Sequence, residues 1–114
     1  MKSFITWSEF EKVDIRVGTI LKVEDFPEAR NPAYIITVDL GELGNKKSSA
    51  QLTRLYMKED LINRKVICVV NFRPKQIGPV MSEVLITGFD NGNNEVVLAG
   101  PDASFDVPNG ARLF

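Results

Sequence analysis

Ile15-Arg16-Val17-Gly18-Thr19-Ile20-Leu21-Lys22-Val23 is the stretch on which the fold turns. Its apolar and β-branched residues give the two-residue period of a strand, with Ile15, Val17, Thr19, Leu21 and Val23 on one face. Gly18 in its middle predicts a bend or bulge, the device by which a long strand curls around a small barrel. Upstream, Thr6-Trp7-Ser8-Glu9 and Ser8-Glu9-Phe10-Glu11 both have capping-box spacing. They predict a short helix around residues 7–12 with Trp7 and Phe10 on one face.

Downstream, two prolines in Phe26-Pro27-Glu28-Ala29-Arg30-Asn31-Pro32 predict a loop. Tyr34 to Leu40 reads as a second strand, residues 41–45 as a turn, and Lys46 to Gln51 as a short polar third strand. Leu55 to Ile62 has helical spacing with Asn63 as its stop, which suggests a plug of about two turns. Lys65 to Asn71 is nearly all apolar, as in a strand buried on both faces. Phe72 to Pro79 reads as a rigid, basic, irregular loop.

Ser82 to Phe89 is then a fifth strand, residues 90–94 a strong turn and Glu95 to Leu98 a hairpin partner. An irregular tail leads to a last short strand, Ala111 to Phe114. Three strands, a helix and two more strands give the order of the OB-fold, a five-stranded Greek-key barrel. The expectation is thus an all-β, single domain spanning 1–114. Residues 1–12 and 90–114 are extensions, natural material for a dimer interface.

Bulk composition narrows the function. The chain has 114 residues, 44% hydrophobic and 25% charged, the make-up of one ordinary globular domain. It has no histidine, which removes the commonest general base and metal ligand. With one cysteine and no histidine, one chain cannot assemble a structural zinc site. The reading is a non-enzyme without metal or cofactor. Cys68, inside Val66-Ile67-Cys68-Val69-Val70, reads as a buried small hydrophobe. No stretch approaches the roughly 20 apolar residues of a membrane span, and the N-terminus has no signal-peptide pattern. A cytoplasmic location and no membrane insertion are expected.

Net charge is −1, unevenly spread. Residues 54–80 carry 6 basic and 2 acidic groups, whereas residues 81–114 carry 1 and 5. A local basic face is therefore possible on a near-neutral protein. In the Asn71–Ser82 segment, Arg73 and Lys75 flank Pro74, whose fixed backbone limits the entropy lost on binding. These cations suit phosphates, and Asn71 and Ser82 suit bases or sugar. Phe72 is expected in the core, with base stacking as its alternative. Gln51, near Ser49 at the end of the third strand, lies where OB-folds take ligands, and Arg54 adds a cation beside it. For a polypeptide ligand the candidates are Phe26 and Met81, as apolar groups on or beside loops. Trp7 and Phe10 are assigned to core or dimer burial, and Asp14 with Arg16 to a structural pair.

Three stretches resemble a known family. Asp14-Ile15-Arg16-Val17-Gly18-Thr19-Ile20 resembles the opening strand of the EMAP-II-like tRNA-binding domain that is appended to some aminoacyl-tRNA synthetases. Lys47-Ser48-Ser49-Ala50-Gln51 resembles the third strand of its stand-alone bacterial branch, and Val70 to Leu85 its Asn-x-x-Pro…Ser-Glu segment. With Phe26-Pro27-Glu28-Ala29-Arg30, the chain is similar to the CsaA-type branch. Many tRNA-binding relatives have Gly-Met at Val84-Leu85 and His-Pro at Phe26-Pro27, and both differences point to that branch. The resemblance implies a homodimeric, secretion-related chaperone for unfolded or pre-export polypeptides, with tRNA binding as the alternative.

Overall fold

The computed structural model describes all residues, 1–114. Thr6 caps the first helix, α1 (Trp7–Glu11): its side chain accepts from the Glu9 N–H, and Glu9 Oε1 accepts from the Thr6 N–H at 2.9 Å. The earlier of the two capping-box candidates is therefore the one used. Trp7 and Phe10 meet on one face, ring centroids 5.3 Å apart.

Strand β1 (Ile15–Asp25) pairs antiparallel with β2 (Tyr34–Asp39) and β4 (Lys65–Val69). Its predicted inward face needs correction. Gly18 and Ile20 are buried, Leu21 is exposed, and Val23 packs against the core. The register slips between Ile20 and Lys22, so Leu21 is the bulged residue and the inward phase changes there. Gly18 serves a different purpose from the one predicted. A Cβ there would lie 2.8 Å from Leu40 Cδ2 and 2.9 Å from Asp39 O, so the barrel interior admits no side chain.

β2 pairs with β3 (Asn45–Ala50) through a short 3₁₀ turn, Gly41–Leu43. The second helix, α2 (Lys58–Leu61), is shorter than its spacing suggested, because Leu55 and Met57 stay outside it and exposed. Asn63 is the stop, at φ 67°, a left-handed conformation that asparagine tolerates. Its N–H donates to Ile20 O at 2.8 Å, and fully buried Leu61 plugs the barrel. Side chains of this kind contribute about 1.5–3 kcal/mol each on burial.

The basic loop predicted over residues 72–79 is half ordered. β5 (Lys75–Ile77) and β6 (Val80–Ser82) form a hairpin turning at Gly78, φ 54°. The predicted single strand Ser82–Phe89 is divided among three partners. Glu83 donates its N–H to Lys47 O at 2.8 Å, closing the barrel against β3. β7 (Leu85–Ile86) pairs with β4, and β8 (Gly88–Asp90) pairs with β9 (Val96–Leu98). The five-stranded sheet runs β3-β2-β1-β4-β7, a nearly closed OB-type barrel.

The C-terminal tail follows β1. Gly110 and Leu113 donate to Val17 O and Ile15 O, and Val17 donates to Ala111 O. The predicted last strand is a single bridge, Arg16 to Arg112. No helix is long and apolar enough to cross a membrane.

Candidate functional site

Inward and outward residues alternate along β3: Ser48 and Ala50 are buried, while Lys47, Ser49 and Gln51 face out. Ser49 sits opposite Ile35 on β2, and its N–H donates to Ser82 Oγ at 3.1 Å. Ser82 in turn stands opposite Lys75 in the β5–β6 hairpin. Lys75, Ser82, Ser49 and Gln51 are thereby brought to one side of the barrel. Gly78, at the hairpin tip, reaches the loop between β1 and β2 near Glu28. Two loops and the outer face of β2–β3 thus frame one surface, the ligand side of an OB-fold.

The sequence candidates divide on this frame. Arg54, Arg73 and Lys75 are exposed, and no carboxylate lies within ion-pair distance of them. Met81 is 45% exposed and stands opposite Gln76. Asn71 is used internally: its Oδ1 accepts from the Asp14 N–H at 3.0 Å and its Nδ2 donates to Lys12 O at 2.7 Å. That amide ties α1 to the barrel and is committed there. The Ser82 oxygen helps close the barrel by accepting from the Ser49 N–H, and its hydroxyl proton makes no hydrogen bond within the chain.

Phe26 is 4% exposed, so its ring offers no surface to a polypeptide. Phe72 shows the opposite error. It is 58% exposed, because Val70 ends the buried run and the chain leaves the barrel at Asn71. Trp7, assigned to burial, is 65% exposed within this chain. Cys68 is fully buried as expected, and burial pushes its thiol up to about 12.

Three residues escaped the sequence reading. Asn31, Thr53 and Asn94 join Pro32, Gln51 and Arg54 around a mainly polar cavity of about 290 Å³. They come from the β1–β2 loop, the segment after β3 and the β8–β9 turn. Loop residues carry no periodicity that would bring them together, and only the barrel does so. A second cavity lies under Phe72 and Pro74, with Leu43 and Val70 on its apolar side and the Lys46–Glu83 ion pair on its rim.

Asp14 and Arg16 form the structural pair anticipated for them. Arg16 Nε meets Asp14 Oδ1 at 2.6 Å, and Nη1 donates to Gly110 O at 3.0 Å. The hydrogen bond to Asp14 holds the guanidinium pKa above its ordinary value.

Residues 15–112 match the family described as "Putative tRNA binding domain". The chain belongs to this tRNA-binding-domain family. Among solved structures, chaperone CsaA from Bacillus anthracis str. Ames superposes with a TM-score of 0.90 at 41% identity, covering 98% of this chain and 100% of that one. CsaA chaperone protein from Picrophilus torridus gives 0.90 at 46% identity, covering 97% and 100%. The methionine–tRNA ligase of Thermococcus onnurineus is 36% identical over 110 residues, 96% of this chain and 14% of the ligase. The chain thus spans about one-seventh of the curated relatives it matches. Within the tRNA-binding-domain family it is a CsaA-type protein, the resemblance its motifs carried.

Proposed function

We propose that this protein is a homodimeric, export-related chaperone of the cytoplasm that holds unfolded or pre-export polypeptides. The observation that carries the reading is the strip around the β5–β6 hairpin. Phe72, Met81 and Leu85 are exposed in and next to this hairpin, whose segment also carries Arg73 and Lys75, both without an ion pair. Exposed apolar groups edged by charge suit segments of varied sequence better than a shaped pocket does. Full-length similarity to two CsaA chaperones supports the same reading. Phe72→Ser with Met81→Ser should abolish suppression of aggregation of a chemically denatured client, followed by light scattering. Full suppression by this variant would remove the strip from the function.

The dimer is proposed on the surface where the two ends of the chain meet. Both extensions meet there, Trp7, Phe10 and Val13 lining one cavity with Leu113 and Phe114. Phe4, Ile5 and Phe114 are also exposed. This apolar concentration at the two chain ends fits a second copy of the same surface. Light scattering should give twice the chain mass at micromolar concentration, and Trp7→Ser with Phe114→Ser should give the monomer.

RNA is the second reading, favoured by the mainly polar cavity at Gln51 and Arg54 and by the family match. Salt distinguishes the two ligands. RNA binding should weaken steeply as salt rises, whereas apolar polypeptide binding should hold or strengthen.

A further inference from the structure

We propose that the pocket formed by Asn31, Gln51, Thr53, Arg54 and Asn94 binds the ribose–phosphate backbone of RNA and separates RNA from DNA by the 2′-hydroxyl. The proposal rests on the RNA reading above and names which part of the nucleic acid this pocket takes. Three amides, one hydroxyl and one guanidinium line it, and Pro32 completes the wall. None of those five side chains makes a hydrogen bond within the chain, in contrast to the amides of Asn71 and Asn109, which serve the fold. They come from three separate segments, so their convergence follows from the folded barrel alone. Asn94 holds its place at φ 58°, in the left-handed region.

The chemistry of the lining selects the ligand. An aromatic platform for a base is lacking, so the polar side chains that dominate the lining favour the sugar and phosphate. A polypeptide docking by its apolar side chains is disfavoured for the same reason. A 2′-hydroxyl both donates and accepts, and each amide presents one donor group and one acceptor to match it. Arg54, free of any carboxylate, is placed for the adjoining phosphate. The volume of about 290 Å³ falls just below the range of small-ligand sites, roughly 300 Å³ upward, which suits part of one nucleotide, its sugar and phosphate.

The test measures fluorescence-anisotropy titrations of a labelled tRNA transcript, the DNA of the same sequence and its 2′-O-methyl RNA. The wild-type protein should bind the transcript roughly tenfold more tightly than the DNA, the effect of one or two hydrogen bonds. The 2′-O-methyl RNA, which has lost the donor, should fall between them. Asn31→Ala with Gln51→Ala should bring the RNA-to-DNA ratio close to one. Arg54→Ala should weaken both ligands alike and lower the salt slope by about one. All three residues are exposed, so circular dichroism and thermal melts should match the wild type.

If RNA binds and DNA binds equally well, the 2′-hydroxyl assignment falls while the RNA reading stands. If no transcript binds at low salt, both fall together. A preference for RNA that survives Asn31→Ala with Gln51→Ala places discrimination elsewhere and overturns the proposal. So does a result in which these variants weaken a reduced, carboxymethylated polypeptide and leave RNA untouched.

Discussion

Two sets of polar residues on the barrel are of the same types and serve opposite purposes. Along the β1–β4 pair, Asn71, Asn109, Arg16 and Lys65 are all tied into the protein. Lys65 Nζ donates to Val107 O at 2.9 Å and to Asn109 Oδ1 at 2.7 Å, and Thr19 Oγ donates to the same Asn109 oxygen. Around the end of β3 and the β5–β6 hairpin, Asn31, Gln51, Arg54, Arg73 and Lys75 have no such partners. An asparagine beside an arginine is therefore a lock in one set and an open hand in the other. What separates them is whether the fold already satisfies the group.

Substitutions along the locked β1–β4 pair should be felt mainly as lost stability. The largest effect is expected at Gly18, where the added side chain of Gly18→Val has only Val38, Leu40 and the Asp39 carbonyl to displace. Overpacking of that kind costs about 3 kcal/mol, read as a fall in the urea midpoint at unchanged slope. Wild-type stability in this variant would mean that the barrel has slack at that point. Asn109→Ala comes next. It strips an acceptor from both the Lys65 ammonium and the Thr19 hydroxyl, for about 2 kcal/mol. If the loss is much smaller, water replaces the amide, and the contrast between the two sets narrows.

The same contrast explains what was legible in the sequence. Capping at Thr6 and Glu9, the asparagine stop at 63, the buried Cys68 strand and the order of elements all rest on neighbours in the chain. Local period and turn chemistry are enough to find them. The bulge at Leu21 is decided by pairing with β2, some fifteen residues on, so the strand period alone gave the wrong inward face. Phe26 and Phe72 were exchanged for a similar reason. A ring's burial depends on what the fold packs over it, which its neighbours in sequence do not decide. Gln51 and Arg54 could be found because β-strand position and charge mark them. Asn31 and Asn94 are ordinary loop amides until the fold brings them beside that pair.

Cys68 offers a reading of the locked β1–β4 pair that needs no change in packing. In register it stands opposite Arg16, yet its thiol is sealed in the core. Its folded pKa of about 12 lies above the ordinary value of 9.0, because burial disfavours the thiolate. At a pH between these values the unfolded chain releases a proton that the folded chain keeps. Stability from this group is thus complete below about pH 9 and declines as pH rises toward 12. Alkylation with iodoacetamide at pH 8 should be slow in the native protein and fast in urea. Urea midpoints of wild type and Cys68→Ala should converge as the solution is made alkaline. Rapid labelling in the native state would mean that β4 opens readily.

In the open set the expected change in stability is the smallest, and that is its diagnostic value. Arg73→Ala and Lys75→Ala remove exposed cations with no ion-pair partner, so the urea midpoint should correspond to a change within about 0.5 kcal/mol. If these groups meet phosphates, each substitution should lower the slope of log K against log salt for a tRNA transcript by about one. They stand next to Phe72 and Met81, so the same variants also probe the chaperone reading. Apolar contact predicts little change in suppression of client aggregation, because neither cation contributes apolar area. A loss of suppression together with an unchanged RNA slope would assign the cations to acidic segments of clients. A lowered slope with suppression intact would divide the face between two ligands, the hairpin's apolar side for polypeptide and its basic side for RNA.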